Sequence, residues 1–481
     1  MNTLPVEIID NIIPFITYSI PSFAGLASIS PSWQYAIERR TFSSLYTTSV
    51  DFKTWGHAVA ARRAFLRNLD YTIILPRVGE RAQLHQVFTA AVNELLRVLG
   101  GGDNGRPMSL SLGGRGDGSS GSHKRRQTKL LPHGYAKYIS GDADTLPVVR
   151  RVTYLSVWCI NPAYWRISLR VAVDLARQMP QLRSIFIEGT VEPKDLRRKG
   201  GVPYREDRLG LAEALVEADY LSGLRDCTSV SLELKDRDPE LIYTRRKTFV
   251  FPDCTNGLGY DPLSAALRMW SHNLVSLNLE GGFDDSVFWP RSAEKSAKTP
   301  EFLWPRLKTL HVELGLLTPE GGWYFDPTPA RAWTEYYKFH SIPNDDTLQP
   351  LFESWAKALE CMPALEIATI LFRVEIEERE IASDMRVEDW MVSFQAPNIV
   401  LDPRQHPYER NLSAGELSSS RLIFRNVGSW RPRKSIMSRL YRMRKNRFPD
   451  VDAIDLAVNM FEEVRETRVL YKGRPGLRLG P

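Results

Sequence analysis

Over residues 4–16 the apolar positions recur at three- and four-residue steps. Ile8, Ile9, Ile12, Phe15 and Ile16 form a stripe opposite Glu7, Asp10 and Asn11, which is the spacing of an amphipathic helix. Pro5 suits the first helical position, where its missing N–H is no loss, with Thr3 or Leu4 near the cap. Pro14 is expected to end or bend that helix. Phe23, Leu26, Ile29, Trp33, Ile37 and Phe42 continue at roughly helical spacing with an interruption at Pro31. Two or three short helices sharing one small core are therefore predicted.

Farther along, the period shortens. "PMSLSL" at 107–112 alternates like a half-buried strand. One apolar pattern, Lxx(L)x(L), then recurs down the chain, in "VRRVTY" from Val149, "LRSIFI" from Leu182, "CTSVSL" from Cys227, "LVSLNL" from Leu274, "LKTLHV" from Leu307 and "LEIATI" from Leu365. "LDYTII" from Leu69 resembles another copy. The preceding segments repeat as well: "VAVDLARQMPQL" before one copy matches "ESWAKALECMPAL" before another. Helix, Met-Pro, strand is the unit, and such units must stack to complete a core. The pattern predicts that Leu182, Ile185, Leu277, Leu279 and Leu310 are buried. Successive copies from Val149 start 33 to 58 residues apart, wider than the roughly 20–29 of standard leucine-rich repeats, so long inserts must leave the scaffold. An ordinary α/β protein, alternating apolar strands with helices, is the alternative.

The predicted fold is thus α/β, a small helical module followed by an irregular leucine-rich-repeat-like solenoid. Residues 1–50 hold the helices and 51–112 the first repeat-like units. Residues 113–144 are read as a mobile loop, because a Gly- and Ser-rich stretch buries too little to offset its ordering entropy. The solenoid occupies 145–426, and a basic tail with a short helix occupies 427–481.

Composition narrows the class. The chain has 481 residues, 43% hydrophobic and 25% charged, and no stretch nears the ~20 uninterrupted apolar residues of a membrane helix. Two acids and no Lys or Arg in the opening residues argue against a secretory leader. The four cysteines are far apart with no CxxC, so neither a zinc cluster nor a disulfide framework is suggested, and the cytoplasm or nucleus fits best. There is no GxSxG elbow, Walker loop or HExxH pair, so neither an enzyme nor a cofactor is expected. "EIEERE" at 375–380 reads as solvated surface, "RGD" at 115–117 as chance, and "NLS" at 411–413 as an unused sequon. The net charge of +6 is unevenly spread: residues 421–450 hold ten Lys and Arg against Asp450 alone. Arg431, Arg433, Lys434, Arg442, Arg444 and Lys445, interleaved with Trp430 and Tyr441, form a candidate patch for an acidic partner, nuclear import or, as a minor reading, nucleic acid.

"LPVEIIDNIIPFI" followed by "LASISPSWQYAI" resembles an F-box, and the likeness covers residues 3 to 46. The continuation "AIERRTFSSL", and "FTAAVNELL" from Phe88, are similar to a large fungal group of F-box proteins with divergent repeat domains. The resemblance implies docking on the Skp adaptor, and through it a cullin, with Leu4, Pro5 and Ile8 pressing on the adaptor. Ile12, Leu26, Ile29 and Trp33 would hold the module together. It also implies a substrate-recognition role in an SCF-type ubiquitin ligase, the repeat domain recruiting a protein substrate. The sequence departs from the family's pattern at Pro14 and Pro31. A non-catalytic nuclear scaffold with a basic tail is the alternative.

Overall fold

Each copy of the apolar pattern is a strand in the computed structural model, which describes residues 4–16, 23–76, 81–101, 106–116, 135–136, 146–159, 166–191, 202–217, 224, 226–236, 252–292, 294, 304–327, 340–377, 385–402, 412–458 and 471–472. The chain is mixed α/β with a large, mostly parallel sheet. It divides into two units, Met1–Glu188 with Ser222–Cys227, and Gly189–Leu221 with Thr228–Pro481.

The first unit opens with α1 (Val6–Ile16), α2 (Ala24–Ala27) and α3 (Pro31–Thr41), followed by β1 (Ser44–Thr48), α4 (Ser49–Arg62), β2 (Asn68–Leu75), α5 (Arg81–Gly100) and β3 (Met108–Gly116). After these come β4 (Tyr135–Ala136), β5 (Val152–Trp158), β6 (Arg166–Ile167), α6 (Arg170–Arg177) and β7 (Ser184–Val191), the last of which straddles the unit boundary. β1, β2, β3, β5 and β7 are hydrogen-bonded in that order, all parallel. The register stacks apolar residues across strands: Leu69 faces Leu110, Leu110 faces Leu155, and Leu155 faces Ile185. Phe88, Ala91, Val92 and Leu95 of α5 are buried, and they share one face of the helix at three- and four-residue steps.

The second unit holds α7 (Val202–Val216), β8 (Ser229–Asp236), α8 (Pro262–Trp270), β9 (Ser276–Gly281), β10 (Thr309–Leu314), β11 (Phe325–Pro327), β12 (His340–Pro343), α9 (Asp345–Glu360) and β13 (Ile367–Glu377). It continues with β14 (Met385–Gln395), α10 (Ala414–Ser418), β15 (Ser420–Arg425), α11 (Lys434–Arg447), β16 (Ala453–Val458) and β17 (Tyr471–Lys472). β8, β9, β10 and β13 are parallel and aligned, so that Val230, Leu277, Leu310 and Ala368 make one inward row and Leu232, Leu279, Val312 and Ile370 the next. Leu182, Ile185, Leu277, Leu279 and Leu310 are all buried, as the pattern predicts. The repeated helix-to-strand turn recurs too: Leu182 N–H donates to the Met179 carbonyl at 2.9 Å and Leu365 N–H to that of Met362 at 3.2 Å. Both methionines are buried beneath the turn.

The structure alters three boundaries. The parallel run does not continue to residue 426, because β14 returns antiparallel to β13 and β15 antiparallel to β14. β3 extends to Gly116, so Gly113–Gly116, assigned to the loop, are ladder residues paired with Thr72–Leu75. Tyr135–Ala136 of that same segment pair with β6, and the rest of 117–145 lies outside the described residues. Finally, 427–458 is no appended tail: α11 packs on α9, and β16 extends the sheet beside β15.

Candidate functional site

The N-terminal helices form a cluster of their own. Ile9, Ile13, Ala36 and Ile37 are buried, and Val6, Phe23, Leu26, Ala27 and Trp33 pack against them. α1 begins at Val6, one residue past the expected start, and the Pro5 carbonyl accepts from the N–H groups of Ile8 and Ile9. Pro14 sits inside the helix, which continues through Ile16. Pro31 is the first residue of α3, and Ser30 caps that helix by accepting from Trp33 N–H. Asp10 and Arg39 form an ion pair between α1 and α3.

Of the residues assigned to the module's interior, Leu26 and Trp33 join the cluster, whereas Ile12 is only half-buried and Ile29 is 59% exposed. Ile29 lies between Ser28, the C-cap of α2, and Ser30, the N-cap of α3, where its side chain meets water; Ile9 and Ile13 take the inward positions instead. Leu4 is 49% exposed, Ile8 44% and Phe15 80%, and Pro5 is exposed as well. α1 thus carries two apolar faces, one sealed by α2 and α3 and one facing solvent.

The basic run divides in a different way. Arg444 is buried, donating to the Asp455 carboxylate at 2.8 Å and the Ile454 carbonyl at 2.9 Å. Lys445 donates to the Val451 carbonyl at 3.1 Å. Arg431 stacks on Phe424 at 4.6 Å. Trp430 packs against Trp390 and Phe352 at 5.0 and 5.2 Å and donates to Asp345. These groups hold the fold together. Arg431, despite that stacking, and Arg433, Lys434 and Arg442 are exposed, so four of the six residues of the predicted patch reach the surface.

A buried ionic network in the second unit has no counterpart among the sequence motifs. Arg208 on α7 pairs with Asp261 at 2.6 Å. Asp261 caps α8 by accepting from the N–H groups of Leu263 and Ser264, and its own N–H donates to Asp284 at 2.8 Å. Burial, with the Asp261 carboxylate beside it, pushes the Asp284 carboxyl up to about 7, against the pull of Arg291 and Ser286. Burial likewise raises the Cys254 thiol to about 11 and lowers His272 to about 4, the latter helped by Arg268. Arg208 and Asp261 stand 53 positions apart, a distance no local pattern registers. Among the described residues, no group of three or more His, Cys, Asp or Glu side chains could hold a metal ion. Compared with known proteins, the sequence matches no family model, and no curated protein matches it.

Proposed function

We propose that this protein is an F-box-type substrate-recognition subunit: residues 3–46 dock on a Skp adaptor, and through it a cullin, and the remainder recruits a protein substrate for ubiquitination. The reading rests on the F-box-like sequence, and the observation that carries it is the pair of faces on α1. Leu4 and Ile8 stay about half exposed although Ile9 and Ile13 already close the local core. Apolar side chains that folding does not require are contact surface in waiting. Catalysis would belong to the partners, and this chain would act in the cytoplasm or nucleus by raising the effective concentration of a substrate lysine.

The test is the triple variant Leu4→Ala, Pro5→Ala, Ile8→Ala. Central interface anchors contribute ~2 kcal/mol or more each, so adaptor recovery in a pull-down is expected to vanish. Thermal unfolding is expected to stay near the parent's, because all three side chains are exposed. Adaptor retained by this variant removes the docking role from α1. The alternative, a nuclear scaffold without ligase role, draws on exposed Arg433, Lys434 and Arg442. Salt-sensitive recovery of nucleic acid without adaptor or cullin would favour it.

A further inference from the structure

In the first unit, helices cover one side of the sheet. Tyr71 of β2 packs edge-on against Phe52 of α4 at 5.4 Å and donates to the Ala91 carbonyl of α5 at 3.3 Å. Alternation along the strands then turns Asp70 to the opposite side and, through the register, places Tyr154, Ser156 and Trp158 of β5 on that same face. The face is open: Tyr46, Tyr154 and Trp158 are 82%, 38% and 42% exposed. One row across it runs Tyr46, Asp70, Ser111, Ser156 and Phe186.

Trp158 is held as a platform on this face. Its indole N–H donates to the Ser111 hydroxyl of β3 at 3.1 Å, and its ring meets that of Phe186 on β7 at 5.4 Å. Both partners stand one row back, on either side of Ser156, so the indole lies along β5 with part of its ring in solvent. Tyr154 and Asp70 have no hydrogen-bond, ion-pair or ring partner among the described residues, and burial raises the Asp70 carboxyl above its ordinary value. The Ser156 hydroxyl, in a residue 4% exposed, is unpaired as well. Half-exposed rings beside uncommitted polar groups suit a ligand that stacks and hydrogen-bonds at once.

We propose that this face binds a neutral oligosaccharide of β-linked pyranose rings, which stack their C–H faces on Trp158 and Tyr154 while their hydroxyls engage Asp70 and Ser111. The two aromatic residues stand four positions apart on one strand, about 13 Å between Cα atoms, so a chain of rings suits them better than a single sugar. A sugar hydroxyl both donates and accepts, as the Ser111 hydroxyl does, and it supplies the donor that an acceptor-only carboxylate needs. Nucleic acid also stacks on aromatic rings, but much of its affinity comes from phosphate contacts. No Lys or Arg stands in the three register rows through Tyr154, Ser156 and Trp158. A proline-rich segment offers carbonyl acceptors, and the indole N–H that would meet them is already given to Ser111. The binding goes beyond the proposed ligase role and does not rest on it.

The experiment is isothermal titration calorimetry on the purified full chain with cellohexaose and chitohexaose, and with maltohexaose as the α-linked control. A β-linked hexamer is expected to bind with an affinity that does not change as salt rises, because the ligand is neutral, and maltohexaose to bind about tenfold worse or less. Trp158→Ala, Tyr154→Ala and Asp70→Ala are each expected to cost about tenfold, whereas Tyr441→Ala, at an exposed aromatic of the second unit, is expected to change nothing. Tyr154 has no ring or hydrogen-bond partner to lose, so Tyr154→Ala is expected to leave thermal unfolding unchanged and carries the test if Trp158→Ala lowers it. No binding of either β-linked hexamer, equal binding by the parent and the three variants, or equal binding of maltohexaose overturns the proposal. Tighter binding of a polyproline peptide or of oligouridine, lost in Trp158→Ala, also overturns it, by making a peptide or RNA the occupant.

Discussion

Leu279 sits between Leu232 and Val312 in an inward row of the sheet, with no exposed surface. Truncating it to Ala removes buried apolar contacts and leaves a cavity, so Leu279→Ala is expected to lower unfolding free energy by about 2–5 kcal/mol in urea titration, with the slope unchanged. Its burial was legible, because the Lxx(L)x(L) spacing alone decides which side chains share a face. Arg208 was not legible. Removing the guanidinium leaves Asp261 buried without its cation, so Arg208→Met is expected to cost about 3–5 kcal/mol. Adding Asp261→Asn should recover part of that loss, since the remaining charge goes too. Full additivity of the two changes would mean that the pair is not coupled.

At the scale of elements, the periodicity found α1 and α3, but α1 has apolar residues on two sides and the sequence does not say which side the neighbours take. Contacts with α3 chose Ile9 and Ile13 over Ile12. The same ambiguity split the basic run, where charge alone suggested one surface. Arg444→Ala is expected to destabilise by about 1.5–3 kcal/mol, the range for buried hydrogen bonds to charged groups. Arg442→Ala, two positions earlier and exposed on the opposite side of the helix, should stay within about 0.5 kcal/mol of the parent. Parallel denaturation curves check both, and equal effects would undo the division of α11 into a docked face and a free one.

For the molecule as a whole, acid sensitivity follows from two groups in the second unit that oppose each other. His272 is held down to about 4 by burial and by Arg268, so the unfolded chain binds a proton that the folded one refuses. Its contribution is present above pH ~6.5 and is lost as pH falls towards 4. Asp284 is held up to about 7, so its contribution is present in acid and is lost as pH rises from about 4 to 7. His272→Asn is therefore expected to flatten the loss of stability between pH 7 and 4.5, and Asp284→Asn to steepen it. Unfolding midpoints across that range, measured against the parent, decide the signs.

What the sequence determined by itself was the local alternation: seven strand copies, the inward parity of their side chains, and helices at the N-terminus. These rest on period and on turn chemistry within a few residues, such as the repeated Met-Pro turn ahead of β7 and β13. Only the tertiary structure decided that β14 reverses the run, that β3 continues through Gly113–Gly116, and that residues 427–458 join the sheet and its helical cover. It also decided which carboxylates are buried beside which arginines. The physical reason is range: a strand's pairing partner and an ion's counter-charge are chosen by contacts between distant segments. Their energies depend on burial, and burial exists only once the chain has folded.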